Sequence, residues 1–348
     1  MSALEGAGRS KENLVQQLRA EVARVVGSAV PTGSRCALVG FPSHENPGDS
    51  VIWLGIRIIL DQLDVTVAFV CDMESYSPEA LAALLGDGTI LLTGGGNLGD
   101  LWPGEQELRE RVFEDFPETS IVQLPQSIHF EDRENLARFR QLVERREDVV
   151  LLVRENQSLA RARDELGVDA ILCPDVAFLV EPPLAAASPE TDVLWIARDD
   201  KESRRLPRPQ GADGVVELDW RRFGPDESRP VDAIARAHEL GQAALRAAAE
   251  APAELPALQS ALAEAYDWLA RHRTERAFRI LEGGRVLISD RLHVHILALM
   301  VGLPHVVLDN RYGKLRSTWE TWTSGSELAR WADTPEDALE LAAELLVH

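Results

Sequence analysis

The chain has 348 residues, 45% of them hydrophobic and 27% charged, with 36 Lys and Arg against 57 Asp and Glu, a net charge of −21. This length suits two domains, and the composition is that of a globular protein able to bury a core without disulfide or metal staples. The acidic balance excludes non-specific binding of nucleic acid or of an anionic membrane surface, which needs a basic face. A small anionic ligand stays open, provided a local basic cluster overrides the global field.

Residues 1–13 are polar and lack the apolar stretch of a secretory signal. No apolar run reaches the ~18 residues of a membrane span. Cys36, Cys71 and Cys173 form no CxxC pair, and their odd number suits a reducing compartment. The expectation is a cytoplasmic protein. Helical periodicity begins over 11–27. Short apolar strands then alternate with helical patterns, strands at 36–41, 65–70, 89–93, 120–124, 149–153 and 170–173, helices at 50–62, 78–85, 105–115, 132–145 and 156–166. Such alternation predicts a parallel sheet covered on both faces.

The Pro- and Ala-rich segment 181–191 reads as a linker. A second alternating set follows, with strands at 192–197, 215–218, 286–289 and 305–308. An Ala-rich helical stretch covers 231–277 with a break near Pro252 to Pro256, and an amphipathic helix covers 335–346. The fold class expected is α/β, with two Rossmann-like doubly wound domains, 1–183 and 190–348, facing a cleft. The final helix is free to pack back on the N-terminal domain. A ligand belongs in that cleft, at the carboxyl ends of the strands.

Two loops of the N-terminal half stand out. Gly94-Gly95-Gly96-Asn97-Leu98-Gly99 fits the dinucleotide fingerprint, but Pro103 and Gly104 follow at once. The next strand ends in Pro125-Gln126-Ser127 instead of an acid that would hold a ribose. The better reading is a backbone nest, with successive glycine amides converging on an anion or a sugar hydroxyl. In His44-Glu45-Asn46-Pro47-Gly48-Asp49-Ser50, Asp49 or Ser50 would cap a helix starting at Val51, leaving His44 and Asn46 unexplained by capping.

Three stretches at strand ends carry the basic chemistry: Arg154-Glu155, Ser289-Asp290-Arg291-Leu292-His293-Val294-His295, and Asp309-Asn310-Arg311-Tyr312-Gly313-Lys314. Ser289 or Asp290 would cap a helix whose first turn holds Arg291 and His293. A helix N-terminus together with an arginine fork binds phosphate or carboxylate. Only three lysines occur, Lys11, Lys201 and Lys314, so a lysine here can be present for its amine. His293 and His295 are two apart and cannot face one metal from a helix, so no metal site is expected and His295 reads as a packed or surface histidine. Asp175 either orients an arginine or caps a turn.

Taken in order, HENPGDSVIW (44–53), LLTGGGNLGDLWP (91–103), LPQSIHF (124–130), VRENQSLARARDELGV (153–168), CPDVAF (173–178), ISDRLHVHILALMVGLP (288–304) and LDNRYGKLRS (308–317) resemble the polysaccharide pyruvyl transferase family. Residues 190–285 match little. The resemblance implies a fold like that of two-Rossmann-domain glycosyltransferases (GT-B). It implies transfer of a pyruvyl group from phosphoenolpyruvate to two hydroxyls of a sugar as a cyclic ketal. The donor is a substrate and no cofactor is expected.

The family's Arg-Leu-His motif falls on Arg291, Leu292 and His293, implying donor contacts for the arginine and acid–base work for the histidine. Arg154 stands where a second donor-binding arginine is expected. Lys314 and Asn310 join them as donor-side candidates. Asn46, Asp49, Gly95, Gly96, Asn97, Gln126 and Ser127 are candidates on the acceptor side, and Trp102, Trp319 and Trp322 are candidates for stacking on a sugar. The partners expected are phosphoenolpyruvate and a sugar or lipid-linked glycan, the latter bringing the protein to the inner membrane face. Two alternatives share the fold: a glycosyltransferase using a nucleotide sugar, and a non-catalytic anion- or sugar-binding relative.

Overall fold

The computed structural model describes residues 3–144, 146–183, 188–205, 214–224 and 227–347, with side chains from residue 14 onward. Part of the predicted linker, 184–187, lies outside the described residues. In chain order the first half runs α1 (Ala3–Ala29), β1 (Arg35–Val39), α2 (Pro47–Gln62), β2 (Thr66–Cys71), α3 (Pro78–Leu85) and β3 (Thr89–Leu92). It continues with β4 (Gly95–Gly99), α4 (Pro103–Asp115), β5 (Ile121–His129), α5 (Arg133–Val143), β6 (Val149–Val153), α6 (Asn156–Arg161) and β7 (Ala170–Leu172). The second half runs β8 (Thr191–Ile196), β9 (Val215–Leu218), α7 (Val231–Glu250), α8 (Leu255–Glu282), β10 (Gly284–Ser289), α9 (Leu292–Val301), β11 (His305–Leu308), α10 (Lys314–Thr318), β12 (Ala329–Ala332) and α11 (Pro335–Val347).

Two parallel sheets result. The first has the order β2-β1-β3-β5-β6-β7, with β4 added alongside β5; the second has the order β12-β11-β10-β8-β9. Apolar strands predict sheets covered on both faces, and the packing agrees. Cys36 and Leu38 of β1 enter one core cluster with Trp53 and Ile56 of α2. Ala37 and Val39 enter another with Leu81 of α3 and Val112 of α4. In β8, Leu194 and Ile196 pack with α9, while Val193 and Trp195 pack toward Ala338 and Ala342 of α11. The C-terminal helix therefore lies on the second sheet, not on the N-terminal half. Its buried alanines allow close approach to β10 and β11.

Helix α8 reaches across the chain. Its Leu262, Tyr266 and Leu269 join the first sheet's core, while Ala277, Phe278 and Leu281 join the second's. Gln259 accepts the Val70 backbone N–H at 2.8 Å, so an edge strand is satisfied by a helix from beyond the linker. Trp53 of α2 donates its indole N–H to Asp267 of α8 at 2.8 Å.

The strand orders create two switch points. The chain passes from β1 to β2 on one side and to β3 on the other; likewise β8 is flanked by β9 and β10. Crevices open at the carboxyl ends of such strand pairs. One lies beside Gly40, Phe41, Thr93 and Gly94, the other beside Arg198 and Arg291. The glycine-rich segment did not form the expected nest. It is extended as β4, paired with β5 in parallel register. Gly99 has φ +128°, and a Cβ there would stand 1.8 Å from the His129 carbonyl oxygen, so only glycine permits this pairing.

Candidate active site

At the second switch point, the end of β10 is tied to β8. The Ser289 hydroxyl donates to the Ile196 carbonyl at 2.6 Å and accepts the Arg291 N–H at 3.0 Å. The Asp290 carboxylate accepts the Arg198 N–H at 2.9 Å. Neither side chain is left to cap α9. Arg291 occupies the N-cap position with no side-chain cap bond, which corrects the capping expectation. The first amides of α9 thus lack intrahelical partners and a side-chain substitute. Arg291 is 2% exposed; it donates to Asp219 at 2.7 Å and to the Ala197 carbonyl at 3.3 Å. Burial, with Arg198 nearby, lowers the pKa of Arg291 against the pull of Asp219.

On the first sheet, Arg154 follows β6 and is 1% exposed. Its Nε donates to Ser127 Oγ at 2.8 Å and its Nη1 to Asp175 Oδ2 at 2.7 Å. Ser127 in turn donates to the buried Glu155 at 2.8 Å, and Ser158 donates to the same carboxylate. Burial raises the pKa of Glu155 against the opposing charge of Arg154. Asp175 Oδ1 accepts the Ala177 N–H at 2.9 Å, and Oδ2 stands 3.4 Å from His293 Nε2. Burial works against the Asp175 charge, but His293 and Arg154 outweigh it and hold the carboxyl well below its usual range. Asp175 therefore both orients an arginine and caps a turn.

Lys314 follows the left-handed Gly313, φ 74°, and its ammonium contacts the Glu202 carboxylate. Glu202 also accepts from Arg198 at 2.9 Å, from Asn310 at 3.3 Å and from the Trp102 indole at 3.3 Å. Burial opposes ionisation of Glu202, but Lys314 and Arg198 prevail and bring it down to about 2. Burial lowers the pKa of the Lys314 amine, with Glu202 opposing. Gly96 closes the floor: a Cβ there would lie 2.8 Å from Lys314 Nζ and 3.0 Å from Arg154 Nη2.

These groups surround one cavity of about 400 Å³. Of the residues singled out from the sequence, Asn46, Asp49, Gly96, Asn97, Arg154, Arg291, Leu292, His293 and Lys314 line it, as does Trp102. Gln126, Ser127 and Asn310 are buried behind the wall. Gln126 holds Asn97, donating to its Oδ1 at 2.6 Å and accepting its N–H at 3.3 Å. Gly95 faces Asp49, whose Oδ1 would be 3.4 Å from an added Cβ.

Asn46 is the N-cap of α2, accepting the Gly48 N–H; the helix starts at Pro47, four residues before the expected Val51. Its amide also donates to Asp49 at 2.6 Å. Capping thus explains Asn46 and frees Asp49, the reverse of the expectation. Trp322 donates to the Arg154 carbonyl at 2.7 Å and Trp319 packs on Trp331, so neither indole stands among the cavity-lining residues. His295 is a packed histidine, bonded to His305 at 2.7 Å and Thr323 at 2.8 Å.

Sequence reasoning passed over Arg198, Glu202 and Trp220, which also line the cavity. Arg198 follows β8 directly, so the strand-end rule that found Arg154 and Arg291 would have found it. The assembled site sets Arg154, Arg198, Arg291 and Lys314 around a space that also meets His293. Such a set can hold a ligand carrying two anionic groups and offer a proton donor or acceptor beside it.

A profile of the polysaccharide pyruvyl transferase family matches residues 46–312. Among curated proteins, Pyruvyl transferase 1 of Schizosaccharomyces pombe is 32% identical over 337 residues, covering 89% of this chain and 76% of its own length. The EpsO protein of Bacillus subtilis is 26% identical, covering 85% of this chain and 88% of its own. A solved structure of an uncharacterized protein from Klebsiella pneumoniae superposes with a TM-score of 0.58 at 17% identity, over 91% of this chain and 99% of that one, a likeness in fold.

Proposed function

The chain belongs to the polysaccharide pyruvyl transferase family and is a transferase, and from that premise we propose that it moves the pyruvyl group of phosphoenolpyruvate onto two hydroxyls of a glycan as a cyclic ketal, releasing phosphate. The observation that carries this reading is the convergence of Arg154, Arg198, Arg291 and Lys314 on one cavity that also holds His293. Phosphoenolpyruvate bears a carboxylate and a phosphate, and two anions on one small molecule call for such a set of cations.

Protonation of the donor's methylene carbon creates an oxocarbenium-like centre at C2. One sugar hydroxyl adds there and loses its proton. The C2–O bond to phosphate breaks, the second hydroxyl adds to the same carbon, and the ketal closes. Of the two hydroxyl protons released, one balances that taken up by the methylene carbon and the other leaves with phosphate. His293 serves this traffic as acid, as base, or as both in turn. Arg291 and the open amides at the start of α9 bind the anionic end of the donor, with Leu292 packed beneath.

Asn46, Asp49 and Asn97, on the side of the first sheet, face the acceptor, and Trp102 offers it an indole face. The two sheets then act as the two halves of a GT-B-like arrangement, divided near residues 183–190, with the site between them. The reaction needs no cofactor. No helix among the described residues is long and apolar enough to cross a membrane; a lipid-linked acceptor would bring this protein to the inner membrane face, and the working compartment is the cytoplasm.

The test is incubation of ¹³C-labelled phosphoenolpyruvate with glycosides offering free 4,6 or 3,4 diols, followed by NMR for a ketal carbon. Arg291→Ala and His293→Ala, each checked for an unchanged melting temperature, should form none. A His293→Ala variant that kept most of its rate would remove the acid–base role.

A further inference from the structure

Within the proposed transfer, on whose reading the step concerned rests, we propose that Asp175 is the positioning residue of His293. It holds the ring by Nε2–H, so that Nδ1 is the nitrogen that exchanges the working proton. Three observations converge. Asp175 Oδ2 lies 3.4 Å from His293 Nε2, and that nitrogen is buried without any closer partner. The opposite edge of the ring meets Gly48, where an added Cβ would lie 2.2 Å from Nδ1 and 3.0 Å from the histidine Cβ. Glycine there lets the Nδ1 edge of the ring lie directly against the start of α2, where any side chain would displace it. Asp175 itself is immobilised: its Oδ1 accepts the Ala177 N–H at 2.9 Å and its Oδ2 the Arg154 Nη1–H at 2.7 Å.

A carboxylate can only accept. It therefore selects the neutral tautomer with hydrogen on Nε2 and leaves Nδ1 as the acceptor, the orienting logic of a base held by a third group. When His293 takes a proton, the same carboxylate neutralises it. The other charged groups around the ring are Arg154 beside Asp175, and His44 and Asp49 at the start of α2. Arg198, Arg221, Arg291, Lys314, Asp200, Glu202, Glu45 and Glu105 also line the cavity. Asp49 is paired to Asn46, Asp200 to Arg198 and Glu202 to Lys314, and among the described residues Asp175 is the carboxylate that stands within 4 Å of a His293 ring nitrogen. Asp175 follows β7 of the first sheet and His293 begins α9 of the second half. This single carboxylate thus joins a donor-binding arginine of one side to the histidine of the other.

The experiment is ¹⁵N NMR of the full chain labelled in histidine, with the His293 signals assigned by their loss in His293→Gln. With the pH raised until the His293 ring is neutral, the unliganded protein should show the Nε2–H tautomer; an Nδ1–H tautomer overturns the proposal. This readout does not involve phosphoenolpyruvate, so it stands or falls apart from the donor assignment. The second arm is Asp175→Asn. Both carboxylate oxygens face donors, so the amide must set its NH₂ against one of them. With the expected transfer activity, kcat should fall on the order of 100-fold, while the dissociation constant for phosphoenolpyruvate changes less than tenfold. The reverse split, with kcat kept and donor affinity lost, would make Asp175 a partner of Arg154 alone and refute the role at His293. Should Asp175→Asn fail to fold, the wild-type tautomer still decides.

Discussion

Gly48 sits in the first turn of α2 and touches His293 only through what it lacks. In Gly48→Ala the new methyl group would stand 2.2 Å from Nδ1, 2.7 Å from Cγ and 3.0 Å from Cβ of His293. Ordinary contact begins near 3.4 Å, so the ring must retreat by about 1 Å, a misplacement that costs on the order of 100-fold in rate. The Cβ contact means that rotating the ring does not relieve the clash. Stability should respond far less. Alanine is favoured over glycine in a helix by about 1 kcal/mol, which offsets much of an overpacking strain of about 1–3 kcal/mol. The assay is turnover with phosphoenolpyruvate beside a thermal melt, with Gly325→Ala as control, since a Cβ at Gly325 meets nothing within 4 Å. Gly48→Ala with kcat within threefold of wild type would refute the placement of His293 in the reaction.

Removing the Lys314 amine should weaken phosphoenolpyruvate binding about 10- to 100-fold, the loss of one charge-assisted contact, and leave sugar affinity nearly unchanged. Glu202 keeps Arg198, Asn310 and Trp102 in Lys314→Ala, so calorimetry reads binding and not collapse. An unchanged donor affinity would return Lys314 to a structural role. Glu202 also sets an acid limit. Its folded pKa of about 2 lies below the ordinary 4.5, so its contribution is present above 4.5 and is lost as pH falls through 2. The size is about 3 kcal/mol. Urea unfolding at pH 7 and pH 3 should show a steeper acid loss in wild type than in Glu202→Gln; equal slopes would contradict the buried charge cluster.

Apolar runs bounded by turn residues were legible in the sequence. The strand at 149–153 and the helix at 78–85 were read at their observed bounds. The strand at Gly95–Gly99 was not, since glycine-rich sequence carries no β signal and its pairing with β5 is imposed by tertiary context. The α2 boundary was misread although Asn46-Pro47 is a standard start, an Asn cap followed by Pro at the first helical position.

Arg291, His293 and Arg154 were legible from strand ends and motif. Glu202 was not, because three of its four partners, Trp102, Asn310 and Lys314, lie roughly a hundred residues away in either direction. Ser289 and Asp290 read as caps by local sequence, yet their bonds go to β8 and Arg198. Local spacing cannot show such long-range competition for a side chain.

Calorimetric titration of the purified protein with phosphoenolpyruvate, and in parallel with UDP- and GDP-sugars, tests whether the cavity between Arg154 and Arg291 binds phosphoenolpyruvate as donor. Saturable binding of phosphoenolpyruvate that Arg291→Ala abolishes is the expected result. Binding of a nucleotide sugar with no response to phosphoenolpyruvate would contradict it.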